Sequence, residues 1–270
     1  MMVIHYWRRS LEGALVCLFF YLIYLGTSPP SMIPHGQGND MSTMIHWQQL
    51  VEGSLVGLFA LLKTVYVESF CLDEVERMMQ RKGGAELYRQ AWIQNVVNLQ
   101  LLGTLTYYVT VVYCCPTGLS FGKQVQCVAG VVLLEAVFYT LVHKAFHEYP
   151  RLWFMHSFHH KFNEVILPST ANAVSMYEFS IAYMLPITVG TYIMGADRVS
   201  ATLAAGIIGT TSILIHTPFQ LNTTFPTFLV STSDHFRHHR KCTTDYSAPL
   251  VHVERITDAV LQKCMPKGNY

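Results

Sequence analysis

Apolar residues gather into long runs, and the polar and charged residues fall between them. A helix that crosses hydrocarbon needs about 20 mostly apolar residues. Six runs are candidates: residues 11–26, 50–67, 91–113, 125–142, 179–195 and 199–217, of which the first and fifth are short. Glu52 and Lys63 stand near the ends of the second run, where such side chains can snorkel toward the headgroups. The pattern predicts an all-α, multi-pass transmembrane helical bundle of about six spans, two of them short or re-entrant. It divides the chain into an N-terminal membrane anchor region, residues 1–90, with two apolar helices and a cytosolic linker, and a second region, residues 91–270.

Charge sets the orientation. Arg8 and Arg9 precede the first run, residues 27–49 contain no Lys or Arg, and residues 68–90 carry Arg77, Arg81, Lys82 and Arg89. Only Lys123 and Arg198 fall in later loops assigned to the outside. The excess of positive charge on cytoplasmic loops then gives six spans with both termini cytosolic. Two features qualify the N-terminus. The apolar run before Gly26-Thr27-Ser28 also has the form of a cleaved signal, although Pro29 and Pro30 follow it. Residues 11–16 also echo residues 51–56, either a duplicated anchor helix or an artefact of the gene's assembly, without the multiple copies of a repeat array.

Hydrophobic residues make up 51% of the chain and charged residues 13%, and the net charge is +1, so nothing electrostatic argues for nucleic acid as a partner. The seven cysteines form no CxxC pair, and the adjacent Cys114 and Cys115 read as buried apolar thiols.

The thirteen histidines change the picture. His143 and His147 close the fourth run, His156, His159 and His160 follow, and His235, His238 and His239 come after the last run. Residues three and four apart share a helix face, so each cluster can aim two or three imidazoles at one point. Neutral imidazole binds iron, copper, nickel or zinc. One structural zinc needs four ligands, and eight histidines exceed that. All three clusters fall on the cytosolic side, giving the bundle a histidine-cluster cap. His5, His35 and His46 read as interfacial, and His252 as a surface residue. No Glu has a His three residues on, HExxH is absent, and no GxGxxG or P-loop occurs. Nicotinamide or nucleotide binding within the chain is therefore not expected.

With these clusters in view, over roughly residues 92–262 the chain resembles the fatty acid hydroxylase/sterol desaturase superfamily of integral membrane di-iron enzymes. His147-Glu-Tyr-Pro150-Arg-Leu152-Trp153 is similar to that family's linker between the first two clusters, and His216 fits its additional histidine. The resemblance implies nine metal ligands: His143, His147, His156, His159, His160, His216, His235, His238 and His239. It implies two Fe ions, with zinc possible in purified material, and O2. NAD(P)H would supply electrons through an external donor, cytochrome b5 or its reductase. The compartment it implies is the endoplasmic reticulum membrane. The chain departs from the family at Ser175-Met176-Tyr177-Glu178, which keeps only the Glu of a His-Pro-x-Glu motif, and at Asp245-Tyr246 and Val253-Glu254-Arg255.

Glu164, Glu178 and Asp245 are carboxylates able to accept the free ring N–H of a ligand histidine. Glu135 lies inside the fourth run, where a carboxylate is costly and faces the bundle interior; it could line a lipid tunnel or pair with Asn95 or Asn98. The expected activity is hydroxylation or desaturation of a lipid, sterol or fatty acyl, taken from the bilayer. A non-catalytic relative with structural metal is one alternative. A membrane metal transporter or sensor is another, but the histidines gather on one side and do not form a path through the spans. An Asn222-Thr-Thr224 sequon on the cytosolic side would stay unglycosylated.

Overall fold

The computed structural model of the chain describes residue 12 and residues 40–116, 118–219 and 226–264. The first apolar run, His5, His35, the His46 side chain and the 222–224 sequon lie outside them. The described residues form an all-α bundle: α1 (Asp40–Glu68), α2 (Leu72–Gln80), α3 (Gly84–Cys114), α4 (Phe121–Glu148), α5 (176–194), α6 (Arg198–Ile215), α7 (Thr232–Lys241) and α8 (Val253–Cys264).

Four of these, α1 from Trp47 onward, α3, α4 and α6, are long and apolar enough to cross a membrane. Their outward surfaces are hydrocarbon-like, with Leu58, Leu101, Leu105, Leu133, Val137 and Leu141 all exposed. The fifth expected run forms α5, which opens with a single helical turn at Met176–Glu178, passes through a π-helical turn at Phe179–Met184 and ends at Met194. Gly195 ends it in the left-handed conformation, at φ 57°, and it is not among the four membrane-length helices.

Local chemistry explains the other boundaries. α4 stops at Glu148 because Pro150 disfavours helix at the residue before it, and Tyr149 is extended at φ −103°, ψ 107°. Asp197 caps α6 by accepting from the Ser200 amide at 2.9 Å. The same carboxylate accepts from Leu119 N and Gln124 Nε2, at 3.0 and 2.8 Å, and so ties the start of α6 to the start of α4. Gly57 lets α1 approach the π turn of α3 at Val97–Leu102, since a Cβ there would lie 2.4 Å from the Leu99 carbonyl oxygen.

Neither charged residue of α1 snorkels as expected. Glu52 is buried and pairs with Arg198 of α6 at 3.0 Å, and the Lys63 amine donates to Thr210 of α6 at 2.8 Å. Contacts to a neighbouring helix satisfy both better than a reach to the interface. Cys114 and Cys115 are free and part-exposed at the end of α3 rather than buried, because the helix ends there in extended chain.

The ends of α1, α4 and α6 meet at one end of the bundle. Glu68, the last residue of α1, accepts the Ser169 amide at 2.7 Å. Residues 152–175 fold over this end in short turns, and α7 and α8 close it. A bridge between Leu229 and Val251 clamps the segments leading into α7 and α8.

Candidate metal centre

α4 brings His143 and His147 to this end on one face, one helical turn apart. His156 ends the short helix Trp153–His156, and His159 and His160 begin a 3-10 turn. His216 caps the C-terminus of α6. Ser231 and Asp234 form a capping box that starts α7, which carries His235, His238 and His239.

The side chains converge into two adjacent groups. His143, His147, His156, His160 and His238 form one, and His159, His216, His235 and His239 form the other, each with ligand atoms within 4.8 Å of one another. The rings of His160 and His239, from different groups, are 4.9 Å apart. All nine residues are buried except His147, which is half-buried.

The hydrogen bonds fix which ring nitrogens face inward. His143 Nδ1 donates to the Tyr246 carbonyl at 2.7 Å, His216 Nδ1 to the Ser212 carbonyl at 2.6 Å, and His238 Nδ1 to the Thr244 carbonyl at 2.8 Å. A carbonyl can only accept, so the proton of each neutral ring sits on Nδ1 and Nε2 keeps a bare lone pair. His156 Nδ1 is held in the same way by Glu178 Oε1 at 2.7 Å. Yet Nε2 of His143 lies 2.8 Å from Nε2 of His156, and His160 Nε2 is 2.9 Å from the same atom. In the second group, His235 Nε2 is 2.9 Å from His216 Nε2 and 3.0 Å from His239 Nε2.

His143 and His156 thus turn two bare lone pairs on each other at 2.8 Å, which repel unless a cation lies between them. Ligands at right angles around one ion, about 2.05 Å from it, are about 2.9 Å apart. The observed spacing therefore fits a shared metal in each group. Among the described residues, His147 Nε2 and His238 Nε2 are buried without a hydrogen-bond partner, as nitrogens reserved for an ion would be.

Burial keeps these rings neutral. It holds His156, His159, His235 and His239 well below the ordinary imidazole value, and neighbouring rings add to the effect. His238 is lowered to about 4 by burial, against its bond to Thr244, and His216 to about 4 against its bond to Ser212. Neutral imidazole is the form that binds metal.

The surrounding carboxylates take different places. Glu178 lies against the outer nitrogen of the His156 ring. Glu164 is 69% exposed and pairs with Arg81 at 3.1 Å, so it orients no ring. Asp245 binds Arg237 at 2.6 Å, and the Thr244 carbonyl takes the His238 N–H in its stead. Glu135 is fully buried, and among the described residues neither of its oxygens has a hydrogen-bond partner. It does not pair with Asn95 or Asn98, whose amides donate to the carbonyls of Ser169, Asn172 and Val174 and anchor the loop beneath the histidines. None of these three lines the apolar cavity between α1 and α6. His252 is buried and not on the surface, 3.6 Å from Asp245, because the strand-like bridge at Leu229 and Val251 draws its backbone inward, with His252 N donating to the Phe228 carbonyl at 2.8 Å.

The backbone acceptors at Tyr246, Thr244 and Ser212 left no trace in the sequence, because any residue type supplies a carbonyl. Cys242 also went unnoticed; its Sγ lies 3.4 Å from His160 Nδ1.

The fatty acid hydroxylase family matches residues 127–259, a segment that contains all nine histidines. No curated protein and no solved structure matches the chain.

Proposed function

The chain belongs to the fatty acid hydroxylase/sterol desaturase family, and from that membership we propose that it is a membrane-embedded di-iron oxygenase. It hydroxylates or desaturates a lipid, using O2 and electrons from an external donor. The observation that carries this reading is the pair of buried imidazole groups with Nε2 atoms 2.8 to 3.0 Å apart. The first group would hold one iron and the second the other. Bound there, the ions supply activation of O2 to an oxidant strong enough to take hydrogen from an unactivated C–H bond, which no side chain can do.

The protein's own part is to hold and shield. Tyr246, Thr244, Ser212 and Glu178 lock four rings in the Nδ1–H form, so that the Nε2 of each of these four is ready to bind without rearrangement. Burial excludes water from the nitrogens, and imidazole is compatible with zinc as well as iron. The exposed Lys161, Arg240 and Lys241 lie beside the histidines and suit an acidic electron carrier such as cytochrome b5. The positive-inside count puts this end in the cytosol, and the family supports an endoplasmic reticulum setting.

The test compares lipids and sterols from cells expressing the wild type with those from a His238→Ala/His239→Ala double variant, which removes one ring from each group. A lipid heavier by one oxygen or lighter by two hydrogens, made only by the wild type, is expected. Identical profiles, with metal bound and a competent electron donor present, would assign the metals a structural role.

A further inference from the structure

α8 is amphipathic along its length. At about 100° per residue, Val253, Ile256, Val260 and Leu261 fall in one stripe, and Glu254, Arg255, Asp258 and Gln262 fall on the other side. From Ile256 onward the apolar stripe is left open among the described residues. Ile256 is 40% exposed, Val260 53% and Leu261 48%. Adjoining apolar side chains left open in this way mark a surface that meets something apolar.

The start of the helix is fixed in place. Ser247 donates from its amide and its hydroxyl to the Glu254 carboxylate, at 3.1 and 3.2 Å. The same hydroxyl lies 3.4 Å from that of Thr140 in α4, and Arg255 pairs with Asp234 of α7. The first turn of α8 is thus braced against α4 and α7, and the open stripe faces a set direction.

Thr140 also gives the depth at which α8 begins. Its neighbour Leu141 is 63% exposed and belongs to the hydrocarbon-like outer surface of α4. The ion pair of Lys144 with Glu148 follows, both side chains half-exposed. Hydrocarbon therefore gives way to water between Leu141 and Lys144, over about 4.5 Å of helix. Tyr149, Phe154 and Tyr177 are exposed at this same end, and aromatic rings gather at the level of the headgroups. The stripe of α8 starts at the edge of the lipid-facing surface and continues it.

We propose that α8 lies in the plane of the leaflet at the histidine end, with Ile256, Val260 and Leu261 sunk among the acyl chains and Asp258 and Gln262 turned to water. The charges of Glu254, Arg255, Asp258 and Lys263 cancel, so apolar burial and not lipid charge drives the seating. This seating is independent of the oxygenase reading.

The experiment introduces p-benzoylphenylalanine, which inserts into neighbouring C–H bonds on irradiation and stays unreacted in water. Full-length, metal-loaded protein carries it at Val260 or Leu261, or on the other side at Asp258 or Gln262, in phosphatidylcholine proteoliposomes. Lipid adducts, read by mass spectrometry of the α8 peptide, are expected at Val260 and Leu261 and nearly absent at Asp258 and Gln262. Adding phosphatidylserine should leave the yields unchanged. In Ile256→Asp/Val260→Asp the adduct at Leu261 should fall about tenfold or more, the effect of unburying one apolar side chain, while the metal content stays normal. The pattern in the otherwise unaltered chain decides the case even if this variant loses its metal. Equal yields on both sides, no adduct on either, or cross-links from Val260 to a second copy of the chain would overturn the proposal. Adducts that form only with phosphatidylserine present would overturn its apolar basis.

Discussion

Oε1 of Glu178 lies 2.7 Å from Nδ1 of His156, and both side chains are fully buried. The sequence motif around this Glu has lost its other family residues, yet the one that remains makes the contact. A carboxylate on the outer nitrogen orients the ring and strengthens its inner nitrogen as a ligand. Glu178→Gln should therefore lower metal affinity about 10- to 100-fold with the fold retained. Metal titration followed by elemental analysis checks this, and unchanged affinity would mean the contact is only packing.

The division of the histidines predicts stoichiometry. His235→Ala removes a ring from the second group and His143→Ala one from the first. Each single variant should bind about half the wild-type metal, and the double variant close to none. If either single variant lost all its metal, the two groups would be one interdependent site.

Acid should unfold the metal-free protein. His238 and His216 titrate at about 4 in the fold and near 6.5 when unfolded. Their folded values are depressed, so above about pH 6.5 both states are neutral and full stability is present. Below that the unfolded chain takes up protons first. Stability should fall by on the order of 1 kcal/mol per pH unit for each such histidine, down to about pH 4. Thermal unfolding between pH 7 and 4 measures the slope. Loading with metal should move the loss to lower pH, because the ion competes with the proton.

Asp234 is the hub of α7. It completes the capping box with Ser231 and holds both Arg237 and Arg255. Asp234→Ala should cost about 2 kcal/mol, the cap plus part of a half-exposed ion network. It should also reduce metal content by loosening the helix that carries three of the rings. Differential scanning of detergent-solubilised protein, together with metal analysis, tests both effects.

Close approach at Gly57 gives a further test. Gly57→Ala sets a methyl against the Leu99 carbonyl and should destabilise by about 1–3 kcal/mol. Gly206→Ala meets nothing within 4 Å and serves as the neutral control. Equal melting temperatures for the two would contradict the packing of α1 on the π turn.

Much was legible in the residues themselves. Runs of apolar residues announce membrane-length helices because hydrocarbon leaves backbone groups no partner but their own helix. Three clusters of closely spaced histidines announce metal because few other roles need so many imidazoles together. Side-chain pairings between distant segments were not legible, since Glu164, Asp245 and Glu135 look alike in sequence. Only packing puts Glu164 beside Arg81, Asp245 beside Arg237, and Glu135 without a hydrogen-bond partner among the described residues.

The sharpest division lies within the clusters. Sequence by itself determined the eight clustered histidines and the one end of the bundle where they gather, with His216 added by the family resemblance. It also pointed to shared faces at spacings of three and four, but only the spacing of four keeps rings together. His143 with His147, His156 with His160, and His235 with His239 each share a group, whereas His159 and His238, three residues on from His156 and His235, cross to the other. Successive helical residues turn by about 100°, so rings three and four apart diverge slightly at the backbone. A second segment facing each helix makes that divergence a choice between two ions. That choice depends on where α4, α6 and α7 stand relative to one another, which tertiary packing alone decided.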